Sequence, residues 1–326
     1  MALPNIDLTW CANINQTIAA SGTLLTTNRR VVRAIKDSLI SSAGYNVAPA
    51  SLWTVRGSSD GSTAGLDSTD RWTSDGALVW ANAGVAHSWI VLRQTGIAAN
   101  FEMCLSLEPA SAPGSGMTIA VSPSAGFTGG STTARPTATD EHVTAKTSIL
   151  GTFGDGTYRL HVLMSSDGKS VYVFVFQAGT ILSTILIGVP KQSVSGWTNP
   201  SWFYFNSGVA ALDMATFAST ATPPVRGRAA GVTMSIYFTG EGVSTGLLAA
   251  GFTGANDLSA ESPLFPIGIA SNTSTASGRH GVVNDLWWGI NSYANGDTYP
   301  GDASRQFVQL GDLIVPNPTG VAWAFT

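Results

Sequence analysis

Residues 157–177, TYRLHVLMSSDGKSVYVFVFQ, limit what this chain can fold into more than any other stretch. Tyr158, Leu160, Val162 and Met164 alternate with Arg159, His161 and Leu163, the period of a strand whose side chains point to opposite faces. SSDGKS carries turn chemistry, and VYVFVF returns with an apolar or aromatic side chain at each position. A return strand that is apolar on both faces belongs in the middle of a sheet.

The period of two extends along most of the chain from about residue 50. LWTVR, ALVWA, HSWIVLRQ, FEMCLSLE and GMTIAVS are short apolar or alternating runs divided by Gly, Ser, Asp and Pro, and TILSTILIGV, SWFYFN, TMSIYF and LFPIGIA continue the series. The pattern predicts a mainly β protein, an antiparallel β-sandwich rather than βαβ units. Composition agrees, because five glutamates and four lysines leave few solvent-facing helix formers. Charged residues are 11% of the chain, less than half the usual share of about 25%. A surface so poor in charge resists self-association weakly, which fits a subunit of a large assembly.

One amphipathic helix is predicted, in TTNRRVVRAIKDSLISSAGYN. Thr26, Thr27 or Asn28 can cap it, Val31, Val32, Ile35, Leu39 and Ile40 recur at helical spacing, and Gly44 can end it. The stripe either packs on its own domain or docks on a neighbouring subunit. Residues 1–25 read as an extended arm. Trp10 on the arm and Val31, Val32, Ile35 and Leu39 on the helix are the expected subunit-interface residues. The chain divides into an arm and helix at 1–45, a sandwich body at 46–222 and a C-terminal β-rich region at 223–326, either a separate unit or part of the same sandwich, with Pro223 and Pro224 marking the boundary. Residues 114–139, rich in Gly, Ser, Thr and Pro, are expected to form a long loop.

Several function classes are set aside. A net charge of −4 offers no basic face for nucleic acid. No apolar run approaches the ~18 residues that span a membrane, and MALPNIDLTW has no basic segment followed by an apolar run, so no secretory signal is expected. Cys11 and Cys104 are expected to be reduced, partly buried thiols.

The chemistry-bearing patterns are weak, and catalytic residues and cofactors are expected to be absent. RGSSDGSTAGLDSTDRW supplies Asp60, Asp67 and Asp70, with Asp75 beyond, but a calcium loop begun at Asp60 meets Ala64 and Arg71 at its fifth and twelfth positions. A looser calcium site on Asp60, Asp67 and Asp70 stays as the minor reading beside turn-forming aspartates. Gly242-Val243-Ser244-Thr245-Gly246 satisfies GxSxG with Asp257 and His280 following, which makes a serine hydrolase centred on Ser244 the least favoured reading, because a nucleophile elbow needs a strand entering a helix. His87, His142, His161 and His280 are too far apart for zinc spacing, and His87 and His161 read as hydrogen-bonded structural residues. Glu102 and Glu108 do not form the close acid pair of a sugar hydrolase. The ten tryptophans serve core and interface packing or, in the alternative, stack on sugar rings.

Trp53 to Gly61 (WTVRGSSDG), Asp70-Arg71-Trp72, Trp80 and His87 to Leu92 (HSWIVL) resemble segments of structural proteins from tailed-bacteriophage virions. The resemblance covers residues 50–110 and carries no catalytic motif. It implies a non-enzymatic particle subunit of the tail, neck, baseplate or head decoration, folded in the host cytoplasm and partnered by itself and other virion proteins. A carbohydrate-binding or receptor-binding tail component facing a host glycan is the alternative. Separately, the 157–177 hairpin is similar to hairpins of concanavalin-like and jelly-roll sandwiches, which implies that fold alone.

Overall fold

The period-two runs among the described residues form strands, and the protein is mainly β, with antiparallel sheets and one helix among those residues. The computed structural model describes residues 4–20, 24–41, 43–49, 53–58, 88–95, 102–107, 117–122, 142–143, 156–188, 191, 203–207, 225–226, 233–238, 264–271, 278–289, 296–297, 306–310, 313–318 and 323–325. In chain order the elements are β1 (Trp10–Ile18), α1 (Leu24–Ile40), β2 (Trp53–Ser58), β3 (Ser88–Gln94), β4 (Glu102–Leu107), β5 (Met117–Ser122), β6 (His142–Val143), β7 (Tyr158–Ser165) and β8 (Val171–Gln177). There follow β9 (Thr180–Gly188), β10 (Phe203–Ser207), β11 (Val225–Arg226), β12 (Thr233–Phe238), β13 (Leu264–Ser271), β14 (Gly278–Gly289), β15 (Phe307–Leu310) and β16 (Leu313–Pro316). The first sheet runs β1-β7-β8-β9-β10, the second β2 to β6 in chain order, and the third β11-β12-β13-β14-β16-β15.

The predicted hairpin is β7 and β8, with Met164 opposite Val171 and Arg159 opposite Phe176. Its turn is held by Asp167 Oδ1, which accepts from Ser165 Oγ at 2.5 Å and from the Lys169 amide at 3.0 Å. Gly168 supplies the left-handed backbone there, at φ 70°. β8 is third of five strands, and Val171 to Phe176 are all buried, as its double-sided apolar pattern requires. β9 follows through Ala178 and Gly179, both at positive φ (48° and 82°), a two-residue turn whose twist matches the strands it joins.

Alternation along β7 and β8 sorts their side chains between two cores. Leu160, Val162, Met164, Val171, Val173 and Val175 share the first core with α1 and with Trp53, Ile90, Leu92, Met103 and Leu105 of the second sheet. Leu163, Tyr172, Phe174 and Phe176 share the second with Trp10, Ala12 and third-sheet residues such as Ile267, Val283, Leu286 and Leu313. The third sheet, within region 223–326, therefore shares a core with the sheet of β1 and β7–β9.

Several expectations change. Residues 10–18 are not a free arm: β1 pairs along β7, from Trp10 opposite Ser165 to Ile18 opposite Tyr158. The helix begins at Leu24, so Thr26, Thr27 and Asn28 lie inside it rather than capping it. The interface assignment of Trp10, Val31, Val32, Ile35 and Leu39 is corrected. All five are buried within the chain, Trp10 at 5% exposure and the four helix residues at 0%, because the stripe faces the protein's own sheets. GMTIAVS forms β5 as its pattern predicts, at the start of the stretch 114–139 read as a loop, and residues 123–139 lie outside the described residues. ALVWA, Pro223 and Pro224 lie outside the described residues.

Candidate functional site

The second core is edged by four half-buried side chains from two distant segments, Ile6 and Leu8 on one side and Trp323 and Phe325 on the other. Each segment is fastened by a buried polar group. For the first it is Asp285 of β14, a residue at φ 49° and 3% exposure. Its Oδ1 accepts from the Asp7 amide at 2.9 Å, and its Oδ2 accepts from the Leu8 amide at 2.8 Å and from Trp10 Nε1 at 2.9 Å. A carboxylate surrounded by three N–H donors is a strong acceptor in a buried setting. Beside it Tyr172 donates to the Asn284 carbonyl at 2.5 Å, and its ring lies 4.8 Å from that of Trp10. Burial, and then the Asp285 charge, push the Tyr172 phenol well up, so it is a fixed donor. Lys191 pairs with Asp7 and exchanges two backbone hydrogen bonds with Val282.

The second segment is fastened by His161 of β7. Its Nε2 lies 2.6 Å from the Ala324 carbonyl, so that nitrogen carries the proton and donates. The imidazole packs among Trp323 (4.8 Å between centroids), Phe176 and Phe325 (5.5 Å each). Burial lowers its pKa to about 4, the Ala324 hydrogen bond opposes that, and the Arg159 charge adds to it. The Gly179 amide donates to the Phe325 carbonyl at 2.9 Å, and Trp323 Nε1 donates to Asn317 Oδ1 at 2.8 Å. Gly296, at φ 92°, lies against the Phe325 ring, where a Cβ would overlap it.

Two other polar places stand apart. Glu102 of β4, with no exposed surface, is gripped on both oxygens, by Arg56 Nη1 at 2.8 Å and by Arg93 Nε at 2.7 Å. That arrangement ties β2, β3 and β4 together and does not leave a free acid for sugar hydrolysis. An open cleft of about 310 Å³ lies between the end of β1 and α1, lined by Gln16, Thr17, Arg30, Arg33 and Asp37 among others. Arg30 Nη1 donates there to the Ala19 carbonyl at 3.0 Å, and Arg33 pairs with Asp37 at 3.5 Å.

Cys11 and Cys104 are both free and buried. Burial pushes Cys11 up to about 11, and burial with the Glu102 charge pushes Cys104 well up, so neither is a thiolate nucleophile near neutral pH. Asp60, Asp67, Asp70, Asp75, Ser244, Asp257 and His87 lie outside the described residues; His142 falls in β6 and His280 in β14. His161 is the hydrogen-bonded structural histidine expected from the sequence. No group of three His, Cys, Asp or Glu side chains is placed to hold a metal among the described residues. Nor is any helix among them long and apolar enough to cross a membrane. Asp285 escaped the sequence reading. Its one signal is an acid inside GVVNDLWWG, an otherwise apolar strand pattern.

Comparison with protein-family models, with curated proteins and with solved structures finds no match.

Proposed function

We propose that the chain is a structural subunit of a tailed-phage virion, a stacked β-sandwich body of jelly-roll or concanavalin-like kind that acts by packing against copies of itself and other virion proteins. The observation that carries this reading is the use made of the buried polar side chains. Asp285, His161, Glu102 and Tyr172 each bind another part of the same chain, the pattern of a body built for rigidity. The low charge content and the virion-like segments of residues 53–92 add to it. A cytoplasmic folding route in the host and a final place in the particle follow from the same reading.

The alternative, a glycan-binding tail component presenting tryptophans, draws no support from the tryptophans whose side chains are described. Trp10, Trp53 and Trp287 are buried, and Trp323 is half-buried against His161. The hydrolase reading depends on Ser244 and Asp257, outside the described residues. Mass spectrometry of purified particles, together with light scattering of the isolated chain across concentration, tests the proposal. Finding the chain in particles and a concentration-dependent rise in mass are expected. A strict monomer absent from every particle preparation ends it.

A further inference from the structure

Residues 323–325 are held as a peptide ligand is held. Recognition is contained in three positions: two aromatic anchors, Trp323 and Phe325, whose rings lie 6.2 Å apart and nearly parallel at 11°, and two carbonyls. The carbonyls of Ala324 and Phe325 accept from His161 Nε2 and from the Gly179 amide. Alternate side chains seated on a surface, with main-chain hydrogen bonds from the host, are how extended peptides are read. The host side comes from elsewhere in the chain: His161 on β7, Phe176 on β8 (4.9 Å from Phe325 between centroids), the β8–β9 turn, and Gly296, whose lack of a Cβ makes room for the ring. Residues 323–325 belong to none of the three sheets, so leaving the groove breaks no strand ladder.

We propose that this groove is an acceptor for a Trp-Xaa-Phe segment, and that in an assembly a second copy of the chain supplies it from its own residues 323–325, tying neighbouring subunits by exchange. The second clause rests on the reading of the chain as an assembled subunit. Contacts made by an exchanged segment equal those made within one chain, so effective concentration decides between them rather than any new contact. A short tether corresponds to an effective concentration on the order of mM, and subunits packed side by side reach the same range.

The test uses the full chain carrying Trp323→Ala and Phe325→Ala, which vacates both anchors and keeps the backbone. A fluorescein-labelled peptide of residues 317–326 is titrated into it, with fluorescence anisotropy as the readout. Saturable binding is expected, weakened at least tenfold when both aromatics of the peptide are alanine. No binding to the folded variant, or binding indifferent to the peptide's aromatics, overturns the groove. A second measurement needs only the unaltered backbone: a photoreactive benzophenone side chain replaces Phe325, and isotopically heavy and light preparations are mixed and irradiated. Heavy–light cross-links from position 325 to the β8–β9 turn are expected to rise with concentration. Cross-links confined to single chains at every concentration overturn the exchange, and decide the matter if the double variant does not fold. Exchange in a chain absent from particles would leave the groove standing and remove the virion reading.

Discussion

β8 presents different side chains to the two cores on either side of it. Toward α1 and the second sheet, β8 presents Val171, Val173 and Val175; toward the third sheet it presents Tyr172, Phe174 and Phe176. The valine side is closed by α1, where Gln16 Nε2 donates to Ser38 Oγ at 3.0 Å and the Tyr45 hydroxyl to the Ser38 carbonyl, and its core also holds Trp53 and Tyr158. The aromatic side is edged by two segments outside the sheets, each fixed by one buried polar group, Asp285 or His161. Irregular chain at the edge of a core has backbone groups without a ladder, and these need specific partners. Stability should therefore respond to volume on both sides, and on the aromatic side also to the Asp285 and His161 hydrogen bonds and, through His161, to pH.

The largest expected effect separates the cores by volume. Phe174→Ala should cost about 3–5 kcal/mol in urea unfolding, against about 2 kcal/mol for Val173→Ala on the opposite face. A greater loss at Val173 would reverse the ranking. Next, Asp285→Ala removes the common acceptor of three N–H donors and should cost on the order of 3 kcal/mol. Hydrogen exchange at the Leu8 amide should then approach that of free peptide, and unchanged protection would show that Asp285 does not hold the segment.

Acid should loosen the same core through His161. Its folded pKa of about 4 lies below the ordinary 6.5, so the unfolded chain binds the extra proton first. The stabilisation is complete above pH 6.5, falls as pH drops toward 4, and at pH 5 the loss reaches about 2 kcal/mol. His161→Phe should flatten that part of the stability–pH curve, and an unchanged slope between those limits would assign it to other groups. The smallest effect concerns neither core. Ala178→Gly at φ 48° should relieve left-handed strain and stabilise by about 0.5 kcal/mol, a gain that thermal unfolding can register.

Much of the fold was legible because alternation is local. The 157–177 hairpin, its DG turn and the central place of VYVFVF follow from side chains two residues apart. The helix was legible too, but its partner was not: Val31, Val32, Ile35 and Leu39 announce an apolar stripe without saying whether their own sheet or a neighbour covers it. The arm misled for the same reason. Residues 10–18 find their pairing at residues 158–165, and no local signal reports a partner so distant. The candidate site was the least legible part. The aspartates that drew notice, Asp60, Asp67 and Asp70, cluster in sequence, whereas Asp285 acts alone on residues 7, 8 and 10.

The sequence by itself determined the class of structure, strands of period two with one amphipathic helix, and a surface poor in charge. Only the tertiary structure decided that the helix stripe turns inward, that β1 joins β7, and that Asp285 and His161 fasten segments far from them in the chain. The physical reason is range. Periodicity and turn chemistry act between residues a few positions apart, while burial and hydrogen-bond satisfaction depend on which surfaces the whole chain brings together.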